Sequence, residues 1–300
     1  MQELEPVQRA LVVTPHPDDA EGGVGGSIAQ WSAQGRRVVL AVCTNGDKGT
    51  SDRSITSEEL AEIRQKEQRK AAEVLGIAEV AFLGYPDQGL EDSVEFRERI
   101  VRQIRTHRPE TVVTIDPNRK YIRHRDHHIA GRVTLDAVFP YARDHLAYPE
   151  HLQEGLEPHK VRQVYLWGSE EPDSFLEITE DAFQKKREAL YCHVSQVGQR
   201  TEEGEARARE RHAAIGKKIG APLAEQFKLI ELGRWRILAL SVIIFYLVLS
   251  LILPFVTLLW TSLLPFYQPF SWKALQMLSF EGYSATLSVA RVQLALTNTF

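Results

Sequence analysis

The chain has 300 residues, with 36 Lys and Arg against 40 Asp and Glu and a net charge of −4. With a pI near 6.2, this balance excludes the broadly basic surface of a nucleic-acid binder, and the length admits one large domain or two smaller ones. The two cysteines, Cys43 and Cys192, form no C-x-x-C pair, which fits a reducing compartment.

The N-terminus, MQELEPVQRALVV, lacks the charged-then-apolar pattern of a secretory leader. Ala10–Thr14 predicts a short buried strand that ends at Pro15-His16-Pro17-Asp18-Asp19. A glycine run, Gly22-Gly23-Val24-Gly25-Gly26, departs from G-x-G-x-x-G because Ile28 stands where the last glycine belongs, and it predicts close packing rather than a dinucleotide. The following SIAQWSAQ reads as a helix stopped by Gly35, and Arg37–Thr44 as a second strand. Thr44-Asn45-Gly46-Asp47-Lys48-Gly49-Thr50 does not match a phosphate-binding loop. Thr56 with Glu59 forms a capping box for a helix that runs to Leu75 and stops at Gly76.

Glu79–Leu83 predicts a third strand, and Tyr85-Pro86-Asp87-Gln88-Gly89 a turn. Val94–His107 is an amphipathic helix with Phe96, Ile100 and Ile104 on one face, and Thr111–Ile115 is a fourth strand. A short loop leads from it to a second cluster, His124-Arg125-Asp126-His127-His128. Val161–Trp167 predicts a fifth strand, and Asp181–His193 and Glu203–Ile215 two more helices. Short apolar strands alternating with helices define an α/β fold, a Rossmann-like, mostly parallel sheet covered on both faces. Ligands in such sheets collect beyond the carboxyl ends of the strands, where both clusters lie.

Each cluster alone reads equally as a polar turn or helix entrance. Together they supply the imidazole and carboxylate groups that a divalent metal needs, with a position left for water. Adjacent carboxylates at Asp18 and Asp19 repel unless a cation or proton lies between them. His124 and His127, at i and i+3, share a face if a helix begins there, and Asp126 is placed to orient an imidazole.

PHPDD, TNGDKG, LGYPDQGL and HRDHH, each after one of the first four strands, resemble the PIG-L/LmbE-like family of zinc-dependent de-N-acetylases. His193-Val194-Ser195-Gln196 is similar to a further recurring segment, and the resemblance spans residues 6–232. It implies removal of an N-acetyl group, from an N-acetylglucosamine-containing small molecule or lipid-linked sugar, as acetate. It implies zinc, or Fe(II) at the same kind of site, on His16, Asp19 and His127. It makes Asp18 the general base and sets His124 toward the oxyanion or the leaving amine, tuned by Asp126. Arg64 and Asp87 would contact the sugar. Arg123 replaces the usual Ala or Gly before the second cluster, which would narrow the pocket mouth. Ala20 separates Asp19 from Glu21, where many members carry Glu directly after the Asp pair, so the resemblance gives Glu21 no role.

From Ile237 to Leu264 the chain holds no Asp, Glu, Lys or Arg, which predicts a spanning helix that Pro254 kinks. Arg234 and Arg236 before it, against Lys273 after it, set the preceding domain on the cytoplasmic side of an inner membrane. Residues 233–300 resemble the start of an inner-membrane ABC-transporter permease, cut off where a second span would begin. The alternative function is therefore a permease fragment, with ABC-transporter components as partners, that carries the enzyme domain (1–232) as an accessory.

Overall fold

A computed structural model describes residues 7–120, 124–232 and 235–299. Arg123 and Arg234, on which the narrowed mouth and part of the membrane orientation rest, lie outside the described residues. The chain divides into two compact units, Met1–Leu232 and Gly233–Phe300.

The first unit is built on a seven-stranded sheet of β1 (Arg9–Thr14), β2 (Arg37–Thr44), β3 (Glu79–Tyr85), β4 (Thr111–Ile115), β5 (Gln163–Trp167), β6 (Ser174–Glu177) and β7 (Ala224–Glu231), in the order β3-β2-β1-β4-β5-β7-β6. The first five strands are parallel; β7 pairs antiparallel with both β5 and β6. The helices are α1 (Asp19–Ala33), α2 (Ser57–Leu75), α3 (Val94–His107), α4 (Arg125–Val138), α5 (Glu150–Gln153), α6 (Glu180–Tyr191), α7 (Val194–Val197) and α8 (Glu202–Gly216).

The side-chain alternation of the strands builds two cores. Val12, Leu40, Val113 and Tyr165 face Ile28 of α1, Leu75 of α2 and Phe183 of α6. Their neighbours Val13, Val39, Val112 and Val164 face Phe96 and Ile104 of α3 and Val133 of α4. The chain winds outward from β1 to β3 on one side and from β4 to β5 on the other, so the order reverses between β1 and β4. That reversal opens a crevice at the carboxyl ends of these two strands, the usual ligand position in an open α/β sheet.

Two parts of this architecture depart from the sequence expectations. Helix α1 begins at Asp19, eight residues before the helical pattern at Ser27. Its glycines oppose helix on propensity, but they let α1 approach the sheet: a Cβ on Gly23 would sit 2.4 Å from Trp167 Cδ1. Strands β6 and β7 were not expected at all. They are held by long-range antiparallel pairing, and β7 carries Glu225, Lys228 and Glu231 among its apolar residues.

In the second unit, α9 (Trp235–Leu247) passes through a π-helical turn (Val248–Ile252) into α10 (Leu253–Ser262). Pro254 stands just after that turn and cannot donate to the carbonyl four residues back, so the widened ladder coincides with the missing donor. Leu240–Ser262 is a stretch of 23 residues with mean hydropathy 2.8, and its large apolar side chains up to Leu259 are exposed. Three short helices follow, α11 (Trp272–Leu275), α12 (Glu281–Leu287) and α13 (Ala290–Thr299).

Candidate active site

The chain leaves β1 through Pro15 and Pro17 and enters α1 at Asp19, so His16, Asp18 and Asp19 cluster on one turn. From the other side of the crevice, His124 caps α4 and His127 lies one turn into it. The remote clusters meet there. His16 Nδ1 is 2.9 Å from Asp19 Oδ2 and 3.2 Å from His127 Nε2, and His127 Nε2 is 3.1 Å from Asp19 Oδ2.

This triangle has the dimensions of a metal site. Four ligands at about 2.0–2.1 Å from a tetrahedral ion lie about 3.3 Å apart. The other nitrogen of His16, Nε2, is 3.2 Å from Asp126 Oδ2; in the neutral tautomer that donates there, Nδ1 turns its lone pair toward a carboxylate. Lone pairs so arranged repel unless a proton or a metal ion joins them. Asp19 Oδ2 also accepts the His16 backbone N–H at 3.1 Å, which fixes the carboxylate from behind. His16, Asp19 and His127 therefore fit a divalent ion with N and O preference.

The protonation tendencies carry the same message. Burial alone would lower the His16 pKa, but Asp126, Asp19 and Asp87 push it up to about 11: the surroundings demand positive charge. Burial works to raise Asp19, yet His127 and His16 hold it well below the usual carboxylate range.

Asp18 lies beside the triangle at φ 98°, in the left-handed region. Its carboxylate accepts from Arg64 Nη2 at 3.0 Å, and Arg64 also donates to the carbonyls of Pro17 at 2.6 Å and Gly46 at 3.1 Å. Gly46 is required here, since at φ +60° a Cβ would come within 2.6 Å of the Arg64 guanidinium. Burial, chiefly, together with the Asp19 charge and against Arg64 and His193, raises the Asp18 carboxyl to about 6.

Three of the site residues make contacts within the protein that the sequence reading did not foresee. The Asp126 carboxylate makes no hydrogen bond to the His124 ring, although its charge works to raise the His124 pKa. That carboxylate holds His16 and accepts the backbone N–H groups of Gln88 at 2.6 Å and Leu90 at 3.2 Å, because the second residue of α4 points inward under the 87–90 turn. His124 instead accepts the Asp126 backbone N–H on Nδ1 at 3.3 Å, which leaves Nε2 as the proton-bearing nitrogen of the neutral ring. Burial and the nearby His16 and His127 lower the His124 pKa. Arg64 is buried and spent on Asp18 and its turn, although it also lines the cavity. Asp87 Oδ1 is 3.1 Å from His16 Nε2 but lies off the N–H direction, so the bond goes to Asp126 and Asp87 Oδ1 has no hydrogen bond among the described residues.

A cavity of about 210 Å³ opens over this group, lined by His16, Asp18, Arg64, Asp87, His124 and His127. Lys48, Gln88 and Gln196 line it as well. The sequence reading assigned these three no role, although each falls within a motif it singled out. Lys48 donates to the Asp87 carbonyl at 2.7 Å. Glu67 clasps the turn bearing Gln196 by accepting from Ser195 N at 2.8 Å and Ser195 Oγ at 2.7 Å.

Fold and site together define an α/β protein with a carboxylate–imidazole centre at its topological switch point, open to a small polar cavity. Its relatives are specific. The family model for GlcNAc-PI de-N-acetylase (PIG-L) matches residues 11–138. Diacetylchitobiose deacetylase of Thermococcus kodakarensis is 35% identical over 190 residues, covering 63% of this chain and 70% of the relative. A probable N-acetyl-alpha-D-glucosaminyl L-malate deacetylase 2 of Bacillus cereus is 31% identical over 221 residues, covering 72% of this chain and 93% of the relative. The solved N,N'-diacetylchitobiose deacetylase of Pyrococcus horikoshii, bound to its inhibitor MPG, superposes with a TM-score of 0.69 at 30% identity, over 76% of this chain and 85% of that one. The chain belongs to the PIG-L de-N-acetylase family.

Proposed function

We propose that this chain is a metal-dependent N-deacetylase that hydrolyses the acetamide of an N-acetylglucosamine-containing sugar, giving acetate and a free amine. The observation that carries the reading is the triangle of His16 Nδ1, Asp19 Oδ2 and His127 Nε2 beside the half-buried Asp18 carboxylate, which Arg64 holds at 3.0 Å. The relatives named above act on N-acetylated amino sugars, which supports the substrate class.

Zinc, or Fe(II) on the same ligands, would polarise the acetamide carbonyl and make water a better nucleophile near neutral pH. Asp18 takes the proton from the attacking water; its raised pKa suits a general base working near neutrality. Arg64 holds that carboxylate in place and keeps it from turning to its neighbour. His124, neutral with its proton on Nε2, donates to the oxygen that gains charge as the carbonyl carbon becomes tetrahedral. Asp126 keeps His16 in the tautomer that presents Nδ1, as carboxylates behind ligand histidines do. The proton held by Asp18 then passes to the departing nitrogen. Asp87 and Lys48 at the cavity wall are the groups for sugar hydroxyls.

For residues 233–300 we infer a bilayer anchor. At 1.5 Å per residue, the 23 residues of Leu240–Ser262 extend about 34 Å, enough for a hydrocarbon core of about 30 Å. The charge asymmetry of the sequence favours a cytoplasmic catalytic unit. The permease likeness rests on sequence alone, and the matched relatives support only the enzyme.

The test is acetate release by the full chain from N,N'-diacetylchitobiose and N-acetylglucosamine, before and after chelation. Turnover is expected to vanish on chelation and return with Zn(II) or Fe(II). Undiminished turnover by metal-free protein would contradict the proposal.

A further inference from the structure

Behind Asp18 lies a buried polar chain that the deacetylation chemistry does not use. Glu21, on the first turn of α1, and His193, which follows α6, are both 0% exposed. Glu21 Oε2 and both ring nitrogens of His193 have no hydrogen-bond partner among the described residues, although Oε2 and Nε2 are 3.6 Å apart. Unsatisfied polar atoms this deep are costly and invite a functional account. Gln68 of α2 links the pair to the site. Its Nε2 donates to Glu21 Oε1 at 2.6 Å, and its Oε1 accepts the Asp18 backbone N–H at 3.4 Å.

Asp18 needs such a hold. A side chain with a Cβ is disfavoured at φ 98°, and residues kept in sparsely populated regions persist only where their surroundings over-determine them. Arg64 grips the carboxylate and the Pro17 carbonyl. Gln68 is the group on the N–H. Its amide is held by Glu21, and Glu21 is backed by the ring of His193. The backbone that carries that ring is fixed, since the His193 carbonyl accepts the N–H groups of Gln196 and Val197 and the next turn is clasped by Glu67.

We propose that Glu21, Gln68 and His193 are positioning residues that lock the backbone of Asp18, and through it the direction of its carboxylate. The inference rests on Asp18 being the general base. Gln68 touches neither the metal ligands nor the cavity; it acts through the peptide N–H of the base.

The test uses the full-length, metal-loaded chain and acetate release from N,N'-diacetylchitobiose, with metal content and thermal midpoint measured for every variant. Gln68→Met keeps the shape and removes both hydrogen bonds. It is expected to lower kcat about tenfold or more, as misplacement of a reacting group does, with KM within about twofold and metal content unchanged. Glu21→Met, which removes the acceptor for the Gln68 amide, and His193→Asn should lower kcat in the same selective way. The double variant Asp18→Asn/Gln68→Met should be no slower than Asp18→Asn, because there is no longer a base to position. Parental kcat in Gln68→Met, or an equal further loss in the Asp18→Asn background, overturns the inference. If Gln68→Met does not fold, Glu21→Met, which is close to the same shape and removes the acceptor for the Gln68 amide, decides on the same comparison. Parental turnover in Asp18→Asn would remove the base reading and this inference together. Loss in Asp18→Asn with parental kcat in Gln68→Met and Glu21→Met would remove the inference alone.

Discussion

Asp18 and Asp19 are adjacent in sequence and opposite in circumstance. Asp19 is pinned by His16 N–H and two imidazoles, while Asp18 meets Arg64 and otherwise faces the cavity. Division of labour between neighbouring carboxylates follows from those partners: one suits a cation and the other a proton. Asp18→Asn is therefore expected to keep bound metal and to lower kcat by about 10²–10⁴, the usual worth of general-base catalysis; single-turnover acetate release checks it, and parental kcat contradicts it. Asp126→Asn replaces the acceptor for His16 Nε2 and should weaken metal affinity about 10–100-fold, read by competition with a chromogenic chelator. His124→Gln retains a donor of similar reach and should lose less turnover than His124→Ala.

At the scale of elements, β1–β5 were legible because buried parallel strands are short, apolar and bounded by turn residues. The convergence of His16, Asp19 and His127 was legible for a related reason, since both clusters end up just beyond such strands. What Asp126 and Arg64 touch was not, because beyond His16 and Asp18 their partners are Gln88, Leu90, Pro17 and Gly46, backbone groups that only tertiary placement brings near. The β6–β7 edge was hidden similarly. Its anchor, Glu225, accepts from Lys186 Nζ at 2.6 Å, Ser27 Oγ at 2.6 Å and the N–H groups of Ser27 and Gly26 at 2.8 and 3.0 Å, tying β7 and α6 to the middle of α1. Burial works to raise the Glu225 pKa, but Lys186 and Ser27 hold it below its ordinary value of 4.5. The folded value thus lies below the unfolded one. The stabilisation is fully present above the unfolded value and is lost as pH falls through the folded value. Stability of the parent should drop below pH 4.5 more steeply than that of Lys186→Met/Glu225→Gln, as urea titrations across that range would show. Lys186→Met alone strands a buried carboxylate and should cost about 3–5 kcal/mol at neutral pH; a cost under about 1 kcal/mol would mean that the pair is not a structural tie.

At the scale of the whole molecule, the soluble-looking first unit and the apolar second unit make different demands on solvent. The exposed apolar side chains from Leu240 to Leu259 are the ones the proposed anchor would turn to lipid. The full chain should sediment with phospholipid vesicles and be released by detergent but not by high salt; a chain that stays in the supernatant would contradict the anchor. In the first unit, winding outward from β1 in one direction and from β4 in the other is what brings two remote loops together. X-ray absorption at the metal edge of the zinc-loaded full chain tests that convergence most directly. The expected spectrum shows two imidazoles and a carboxylate oxygen at about 2.0–2.1 Å, losing one imidazole in His127→Ala. A shell with sulfur or without imidazole, or one unchanged by His127→Ala, would contradict the assignment of His16, Asp19 and His127.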